Sequence, residues 1–545
     1  MLAAAVVVLG ALAYSNSLHG QFVFDDFPQL VDNPGIRDLG AFLGPSGYRM
    51  LPNRFVAYLT FSLNHAVGGY EPFGWHLANL VIHLGNALLV GGLVVLAFRA
   101  PRMLDSALSP SSGSVAFASA ALFVAHPIAT QAVSYVAQRI TSLATLFYLS
   151  ATGLYLLWRL RPAGRGGRWA LYAGVLVCAL LAMRTKEIAF TLPVALALVE
   201  AVLFEGDRRR WLPILPVAAI ALLIPLTLVD LGGSPSGVLA SADASTRVIA
   251  PAGRLDYLRT QAVVVVEYLR LLAFPFGQSV DHRVVIRRSW LAPDVAGSAL
   301  LLASLGGLAA WLLWRSRPRG ARPPLDPSVR LVALGIAWFF VALSVESSVI
   351  PIADVMNEHR VYLPSAGLFP AVATVVALLF LRIDPRHVAR DTAIAGAVAA
   401  SILAVVTWNR NRVWQDEIAL WSDAATRAPD HYRPVFNWGA ALMKQQHFAE
   451  AAPILRRAAE IDPRSVAARV QLGVALYLAG DSLGGEVELR RAVELGPDDP
   501  DALLNLSILL GAIGKRAEAR HYQERLLRVA KDPADRAWAE AELAR

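Results

Sequence analysis

Two adjacent carboxylates, Asp25 and Asp26, follow directly on the first apolar segment of the chain. They lie in the stretch 22–28 (FVFDDFP), whose aromatic residues suit the boundary between lipid and water. Ionisable groups next to hydrocarbon are costly, so those that are retained there are candidates for function. A carboxylate at this place could take the proton of an attacking hydroxyl group, and its neighbour would raise its pKa. The alternative is an acidic loop that is merely solvated.

Cationic residues that could bind a phosphate occur in short clusters elsewhere. Lys186 lies in the stretch 184–187 (RTKE), and it is the only lysine before Lys444. A compact ammonium suits a phosphate as a point charge, whereas a guanidinium can bind one through two parallel hydrogen bonds. The further candidates for phosphate binding are Arg139, Arg184, His359 and Arg360, with His76, His126, Glu187, Asp281, His282, Glu346 and Glu358 in support. Each could instead be an anchor at the end of an apolar segment.

The composition is that of a membrane protein with several spans. The 545 residues are 56% hydrophobic and 17% charged, with a mean hydropathy of +0.47, whereas soluble domains carry about 25% charged residues. The net charge of +8 comes almost wholly from arginine and follows membrane topology, so we expect no nucleic-acid partner. The single cysteine, Cys178, excludes an intramolecular disulfide and a cysteine-based zinc cluster.

Eleven apolar segments are long enough to be candidate spans. They are 2–18, 72–98, 114–130, 140–158, 169–184, 188–204, 212–230, 296–314, 331–349, 362–381 and 391–408. Arginines collect in every second loop, at Arg99 and Arg102, Arg159 to Arg168, Arg208 to Arg210, Arg315 to Arg322, and Arg382 to Arg390. The positive-inside rule places those loops in the cytoplasm.

This orientation puts the N-terminus in the cytoplasm and the Asp25/Asp26 loop outside, and an odd number of spans places the C-terminus outside too. We expect an integral protein of a bacterial inner membrane with a periplasmic C-terminal domain. The segment 256–276 is apolar but carries Arg259, Glu267 and Arg270, so we interpret it as an interfacial or re-entrant helix. The first external loop is then 19–71 and the second is 231–293.

A repeat begins after the last span. Gly439 and Gly473 are 34 residues apart, as are Pro463 and Pro497, and this period with small residues and a closing proline is that of tetratricopeptide (TPR) repeats. Asn437, Gln471 and Asn505 share one repeat position on the surface expected to be concave, where they could bind an extended backbone or could simply be solvated. The predicted repeats are 432–465, 466–499 and 500–533, with a capping helix at 534–545 and a half-repeat in 409–431.

The predicted fold is therefore all-α. A polytopic helical bundle occupies 1–408, a half-repeat connector 409–431, and a TPR α-solenoid 432–545.

Several short motifs carry a family resemblance. They are 24–26 (FDD), 73–79 (FGWHLAN), His126-Pro127, Gln138-Arg139, Lys186-Glu187 and 358–365 (EHRVYLPS). Their order and spacing resemble the GT-C glycosyltransferases that use polyprenyl-phosphate sugars, most closely the transmembrane and TPR-repeat-containing O-mannosyltransferases. The likeness covers nearly the whole chain. Gln131 departs from the pattern, because an acidic residue is expected after the His-Pro element.

The resemblance implies an 11-span GT-C enzyme that transfers a sugar from a polyprenyl-phosphate carrier to an acceptor, which we expect to be a protein hydroxyl group recruited by the repeats. By analogy Asp25 is the base and Asp26 its orienting partner. Lys186 and Arg360, then Arg139, would stabilise the leaving phosphate. No cofactor is firmly implied, although two carboxylates and a phosphate leave a divalent metal open. The alternatives are a non-enzymatic TPR scaffold for envelope proteins and, third, a transporter.

Overall fold

The computed structural model describes residues 1–44, 47, 52–162, 164, 167–228, 252–317, 323–348 and 351–544. Parts of both predicted external loops (45–46, 48–51 and 231–251) lie outside the described residues, as do positions 229–230 and 349 at predicted span ends. Arg165, Arg319 and Arg322, which contributed to the predicted orientation, also lie outside them. The described residues are helical and contain no strand.

The first compact unit comprises Met1–Gln278 and Val284–Gln415. Its helices are α1 Leu2–Ala13, α2 Leu39–Leu43, α3 Phe55–Gly68, α4 Pro72–Phe98, α5 Ser112–Ala125, α6 Thr130–Val133, α7 Arg139–Leu160, α8 Arg168–Met183, α9 Leu192–Leu203, α10 Ile214–Ala221, α11 Leu223–Leu228, α12 Arg254–Ala273, α13 Pro293–Arg315, α14 Val329–Leu343, α15 Tyr362–Ile383 and α16 Val388–Asn411. Short 3₁₀ segments at Val136–Gln138, Glu187–Thr191 and Glu358–Val361 lead into helices α7, α9 and α15.

Among the described residues, six helical stretches are long and apolar enough to cross a membrane, or seven if one bent pair is a single span. The bent pair joins Ser109–Ala125 to Pro127–Val133 at an angle of 50°. The six are Pro72–Phe98, Val136–Leu160, Arg208–Thr227, Pro293–Arg315, Glu358–Ile383 and Val388–Trp414.

The four remaining predicted spans correspond to shorter helices. These are α1, α8, α9 and α14, which have 12, 16, 12 and 15 residues. A straight helix needs about 20 residues to cross the hydrocarbon core, so the count of eleven spans stays a prediction. Segment 256–276 forms the single helix α12 and is not among the six, and its interfacial position likewise stays a prediction.

Small residues let two site-bearing helices of the bundle approach closely. A Cβ atom on Gly335 of α14 would lie 2.3 Å from the carbonyl oxygen of Gly367 in α15, so alanine cannot be accommodated there without a shift. Contacts of this kind are typical of helix packing in membranes, where backbones approach through glycine. The approach fixes the end of α14 beside the beginning of α15, and both ends lead into the candidate site.

The second compact unit comprises Ser279–Arg283 and Asp416–Arg545. Its helices are α17 Glu417–Arg427, α18 Tyr432–Lys444, α19 Phe448–Ile461, α20 Val466–Leu478, α21 Ser482–Leu495, α22 Pro500–Ala512, α23 Arg516–Val529 and α24 Pro533–Ala544. The first helices of three successive pairs, α18, α20 and α22, begin 34 residues apart, and so do their partners α19, α21 and α23. This confirms the all-α fold class with a C-terminal TPR solenoid.

Candidate functional site

The Asp25/Asp26 pair lies in a tight turn that points the two carboxylates to different surroundings. Asp26 is fully buried, and its Oδ2 accepts a hydrogen bond of 3.0 Å from the backbone N–H of Val23. Its Oδ1 accepts one of 2.6 Å from the N–H of Ala137. Asp25 is half-buried, and its own N–H donates to the hydroxyl of Tyr135 at 3.0 Å. Asp26 is therefore anchored, whereas Asp25 is the more accessible acid.

Burial has a strong effect on Asp26. It raises the pKa of the Asp26 carboxyl to about 7, although backbone N–H groups of Val23 and Ala137 oppose the shift and the Asp25 charge adds to it. A carboxyl group without solvent is penalised in its charged form, and a like charge next to it increases the penalty. The pair therefore holds a proton near neutral pH more readily than two solvated carboxylates would.

Lys186 is connected to the acid pair through a short stretch of the chain. Its Nζ donates to Thr141 Oγ1 at 3.1 Å and to Glu346 Oε1 at 2.8 Å, and the side chain is 9% exposed. Thr141 lies four residues after Ala137, whose N–H binds Asp26, across the junction between the 3₁₀ segment Val136–Gln138 and α7. The segment 136–141 thus brings the acid pair and the ammonium together.

Glu346 and Arg360 complete this cluster from the ends of α14 and α15. The Glu346 carboxylate is surrounded by positive charge, because Lys186, Arg360 and Arg54 all interact with it. Arg360 is 4% exposed and donates to the carbonyl oxygens of Val355 and Asp354 at 3.1 and 2.5 Å. The result is a buried site with more cationic than anionic groups around the Lys186–Glu346 ion pair.

Three buried polar atoms next to this ion pair have no hydrogen-bond partner among the described residues. They are Ser347 Oγ, His359 Nδ1 and Arg360 Nε. Buried polar groups are nearly always paired, so each such atom calls for an explanation. A phosphate could accept hydrogen bonds from all three, which fits the predicted role of His359 and Arg360. The His359 backbone N–H donates to Gln131 Oε1 at 2.7 Å. Gln131, which stands where the family pattern has an acidic residue, thus acts as a neutral acceptor.

Arg184 and Glu187 flank Lys186 and attach it to the first loop. The Arg184 carbonyl accepts from the Val56 N–H at 2.9 Å, and its guanidinium donates to the Pro52 carbonyl at 3.3 Å. Glu187 pairs with Arg54 Nε at 3.4 Å. Arg54 is a cation that the sequence reasoning did not single out, since nothing in the stretch around it marks a motif.

Arg139 lies beside the cluster but is engaged by neutral groups. Its guanidinium donates to Asn79 and Asn64 at 2.6 and 2.5 Å and to the Trp75 carbonyl at 2.9 Å. It also lies over the Phe61 ring at 4.9 Å. Because its side chain is buried and its donors are used, Arg139 holds α3 and α4 against α7. It therefore has fewer donors available for a phosphate than Lys186 has.

The remaining predicted supporting groups lie around the site or apart from it. His126 donates through Nε2 to the Leu272 carbonyl at 3.1 Å and accepts from the Ile128 N–H, so it closes the bend before α6. His76 bonds the Gly20 carbonyl at 3.0 Å, and Glu358 accepts from Gln278 at 2.8 Å. These contacts are structural.

Asp281 and His282 lie in a different compact unit from the one that contains the cluster. Both belong to the second unit, where Asp281 binds Arg433 Nε and Nη2 at 2.6 Å each. Asn437, Gln471 and Asn505 lie half-buried on α18, α20 and α22, the first helices of their repeats. The Asn505 amide donates to the Asp501 carbonyl of its own helix at 2.8 Å.

A small apolar cleft of about 50 Å³ lies between the helices that carry the site. Its lining comes from α4, α7, α9, α14 and α15, and Thr152 is its one polar side chain. Thr152 and Leu156 follow Thr141 on α7 by 11 and 15 residues, which corresponds to about 16 to 22 Å along the helix. The cleft therefore lies farther along the bundle than the charged cluster, toward the other end of α7.

A metal centre is not supported by the described residues, because no group of three or more His, Cys, Asp or Glu side chains among them is placed to hold an ion. Asp26 is also enclosed and already accepts two backbone N–H groups. The two carboxylates of the turn are thus a poor oxygen donor set for a divalent cation, which prefers six or more ligands.

Similarity to known proteins covers most of the chain, although no family model matches it. Protein O-mannosyl-transferase Tmtc3 of Drosophila melanogaster is 24% identical over 86% of this chain and 56% of its own length. Protein O-mannosyl-transferase TMTC3 of Mus musculus is 23% identical over 94% of this chain and 58% of its own. The chain therefore spans somewhat more than half the length of these relatives.

Solved structures with similarity to the chain fall into two groups. ArnT from Cupriavidus metallidurans, bound to undecaprenyl phosphate, has 14% identity and a TM-score of 0.38, with 79% of this chain and 80% of ArnT covered. A thermophilic TPR protein of Thermus thermophilus has 19% identity and a TM-score of 0.22, with 32% and 100% covered. The resemblance inferred from the motifs is confirmed to this extent: the curated relatives of the chain are TMTC protein O-mannosyl-transferases, at about 24% identity over most of its length.

Proposed function

We propose that the chain is a membrane glycosyltransferase that moves a sugar from a polyprenyl-phosphate carrier to a hydroxyl group of an acceptor outside the membrane. The observation that carries this proposal is the segment 136–141, in which Ala137 binds the Asp26 carboxylate and Thr141 binds Lys186. The turn that carries the proposed base Asp25 and the phosphate-binding cation Lys186 are thereby attached to one short segment of the chain. The names of the similar proteins support the same reaction class.

Each group has a distinct part in the proposed reaction. The half-buried Asp25 accepts the proton of the acceptor hydroxyl, whose oxygen attacks the anomeric carbon of the sugar. The bond between that carbon and the phosphate oxygen breaks, and its electron pair leaves with the polyprenyl phosphate. Lys186 and Arg360 stabilise the charge that develops on this leaving oxygen. Asp26 keeps the turn in place through its two backbone hydrogen bonds.

The apolar cleft among α4, α7, α9, α14 and α15 supports a donor that carries a long hydrocarbon chain. It lies between the helices whose ends bear Lys186, Glu346 and Arg360, so one molecule could place its headgroup in the charged cluster and its chain in the cleft. Ligand pockets generally combine a mostly apolar lining with a few placed polar groups.

The TPR solenoid supports a protein acceptor, since helix pairs of this kind stack into surfaces that bind peptides. In this proposal Asn437, Gln471 and Asn505 contact the acceptor, and the solenoid lies on the external side of a bacterial inner membrane. Among the described residues, no hydrogen bond engages the Asn437 and Gln471 amides, which leaves them available for a bound backbone.

The test measures sugar transfer by the purified full chain in lipid nanodiscs. The donor is a polyprenyl-phosphate mannose with labelled sugar, and the acceptors are envelope proteins extracted from a deletion strain. Asp25→Asn and Lys186→Gln should each lower the initial rate about 100-fold or more, because they remove the base and the phosphate-binding charge. Polyprenyl phosphates carrying other sugars extend the assay.

Asp32→Asn is the matched control, because Asp32 is an exposed carboxylate of the same loop, outside the turn. It should transfer sugar at the wild-type rate. Equal rates for Asp25→Asn and the wild type would refute the catalytic role. A non-enzymatic scaffold instead predicts that the envelope stays normal when Asp25 and Lys186 are neutralised, and that envelope defects appear only when 432–545 are deleted.

A further inference from the structure

The Glu346 carboxylate accepts a hydrogen bond from Lys186 that a ligand anion would otherwise accept. Among the described residues, Lys186 Nζ has two hydrogen-bond partners, the neutral Thr141 hydroxyl at 3.1 Å and Glu346 Oε1 at 2.8 Å. An ammonium group has three donors. Glu346 is therefore the anion that neutralises this lysine, in a position that is only 12% exposed for its side chain.

The surroundings of Glu346 are cationic. Lys186 donates to its carboxylate at 2.8 Å, and Arg360 and Arg54 also interact with its charge. Glu187 is the further carboxylate of the cluster and pairs with Arg54 at 3.4 Å. Among the described residues these three cations face the two carboxylates, so a further anion can enter, but it must share its cations with Glu346.

Three unpaired polar atoms belong to a chain neighbour of Glu346 and to the 3₁₀ segment Glu358–Val361. Ser347 follows Glu346 directly, and the Ser347 hydroxyl, His359 Nδ1 and Arg360 Nε have no partner within the described part of the chain. His359 and Arg360 are 9% and 4% exposed. Unpaired donors beside an ion pair are expected where the site binds a larger anion with more acceptor oxygens. A carboxylate has two oxygens, whereas a terminal phosphate has three.

We infer that the Glu346 carboxylate binds Lys186 in place of the donor's phosphate when no donor is present. Glu346 thus competes with the phosphate for Lys186 and keeps the phosphate affinity low. This inference rests on the proposed function, since it takes the Lys186 cluster as the phosphate site. Its consequence concerns product release. The leaving polyprenyl phosphate carries one more negative charge than the donor, and the Glu346 carboxylate, which remains ionised, repels it and takes back the lysine.

The test measures equilibrium binding of two phosphates to the full chain in nanodiscs. Farnesyl phosphate represents a lipid phosphate, and inorganic phosphate represents a free anion with the same head chemistry. Glu346→Gln keeps the shape but removes the charge, and we expect it to lower the Kd for farnesyl phosphate at least about fivefold. Lys186→Gln should raise the same Kd by at least about tenfold. Tighter binding of farnesyl phosphate than of inorganic phosphate identifies a lipid phosphate as the ligand.

Glu205→Gln is the control, because Glu205 lies beside Arg102 with its side chain 73% exposed, outside the cluster. It should bind both phosphates as the wild type does. If Glu346→Gln does not fold, Glu346→Asp retracts the carboxylate from Lys186 and should also tighten binding.

The outcomes separate the two proposals. Unchanged or weaker binding by a folded Glu346→Gln protein, with Lys186→Gln still defective, would overturn the competition and make Glu346 a group that positions Lys186. If the wild type and Lys186→Gln bind farnesyl phosphate equally, the phosphate site itself is refuted and the proposed function falls with it.

Discussion

Backbone strain lies directly beside the acid pair. Phe24 has a φ of 51°, in the left-handed region that bulky residues avoid. The turn is closed on both sides, since the Asp26 N–H bonds the Val23 carbonyl at 3.0 Å and Asp25 bonds Tyr135. The Phe24 ring stacks on Tyr135, which in turn stacks on Trp414. Strain of this kind persists where surrounding contacts over-determine it, and here it separates the directions of Asp25 and Asp26.

The Phe24 position permits a matched comparison of strain. Phe24→Ala and Phe24→Gly both remove the stacked ring, but only glycine adopts a positive φ without cost. We expect the glycine variant to be more stable than the alanine variant by about 1 kcal/mol. Thermal unfolding of the two proteins in the same detergent measures the difference. A higher midpoint for the alanine variant would show that the turn relaxes to ordinary dihedral angles.

At the scale of elements, close packing depends on single glycines in both units. A Cβ atom on Gly473 of α20 would lie 2.6 Å from Leu489 Cγ and 3.0 Å from the Gly485 carbonyl oxygen in α21. The equivalent atom on Gly439 of α18 would lie 2.6 Å from the side chain of Leu455 in α19. The repeated glycine therefore marks the point where the two helices of each pair meet.

Gly473→Ala should destabilise the solenoid by about 1–3 kcal/mol, because the added methyl group forces two packed helices apart. Gly511→Ala is its counterpart in α22, since a Cβ there meets nothing within 4 Å. That substitution should instead stabilise by about 0.5–1 kcal/mol through helix propensity. Thermal unfolding of the full chain followed by circular dichroism provides the comparison. Equal effects of the two substitutions would contradict the role of Gly473 in packing.

At the scale of the whole molecule, the arginine-rich loops predict which side of the membrane each part faces. The test uses single cysteines in a Cys178→Ala chain, at Asp498 in the solenoid and Asp207 beside Arg208–Arg210, both exposed. A membrane-impermeant maleimide added to spheroplasts should label Asp498→Cys and spare Asp207→Cys until the membrane is lysed. Labelling of Asp207→Cys in intact spheroplasts would reverse the orientation.

The sequence by itself determined the class of the fold and the period of the solenoid. Long apolar runs and a 34-residue repeat are local patterns, and each dictates its helices without reference to distant residues. The Asp25/Asp26 pair and Lys186 also stood out, because charge is rare in such a chain. The span count could not be fixed in this way, since α1, α9 and α14 are shorter than their apolar runs and α8 has only 16 residues.

Only the tertiary structure decided which charges meet. Arg139 and Lys186 have similar sequence surroundings as candidate phosphate ligands. Arg139, however, donates to Asn79, Asn64 and Trp75, whereas Lys186 donates to the Thr141 hydroxyl and one carboxylate. Asp281 belongs instead with Arg433 in the second unit. The physical reason is that hydrogen-bond partners far apart in the chain determine whether a buried charge is satisfied, and no local pattern records them.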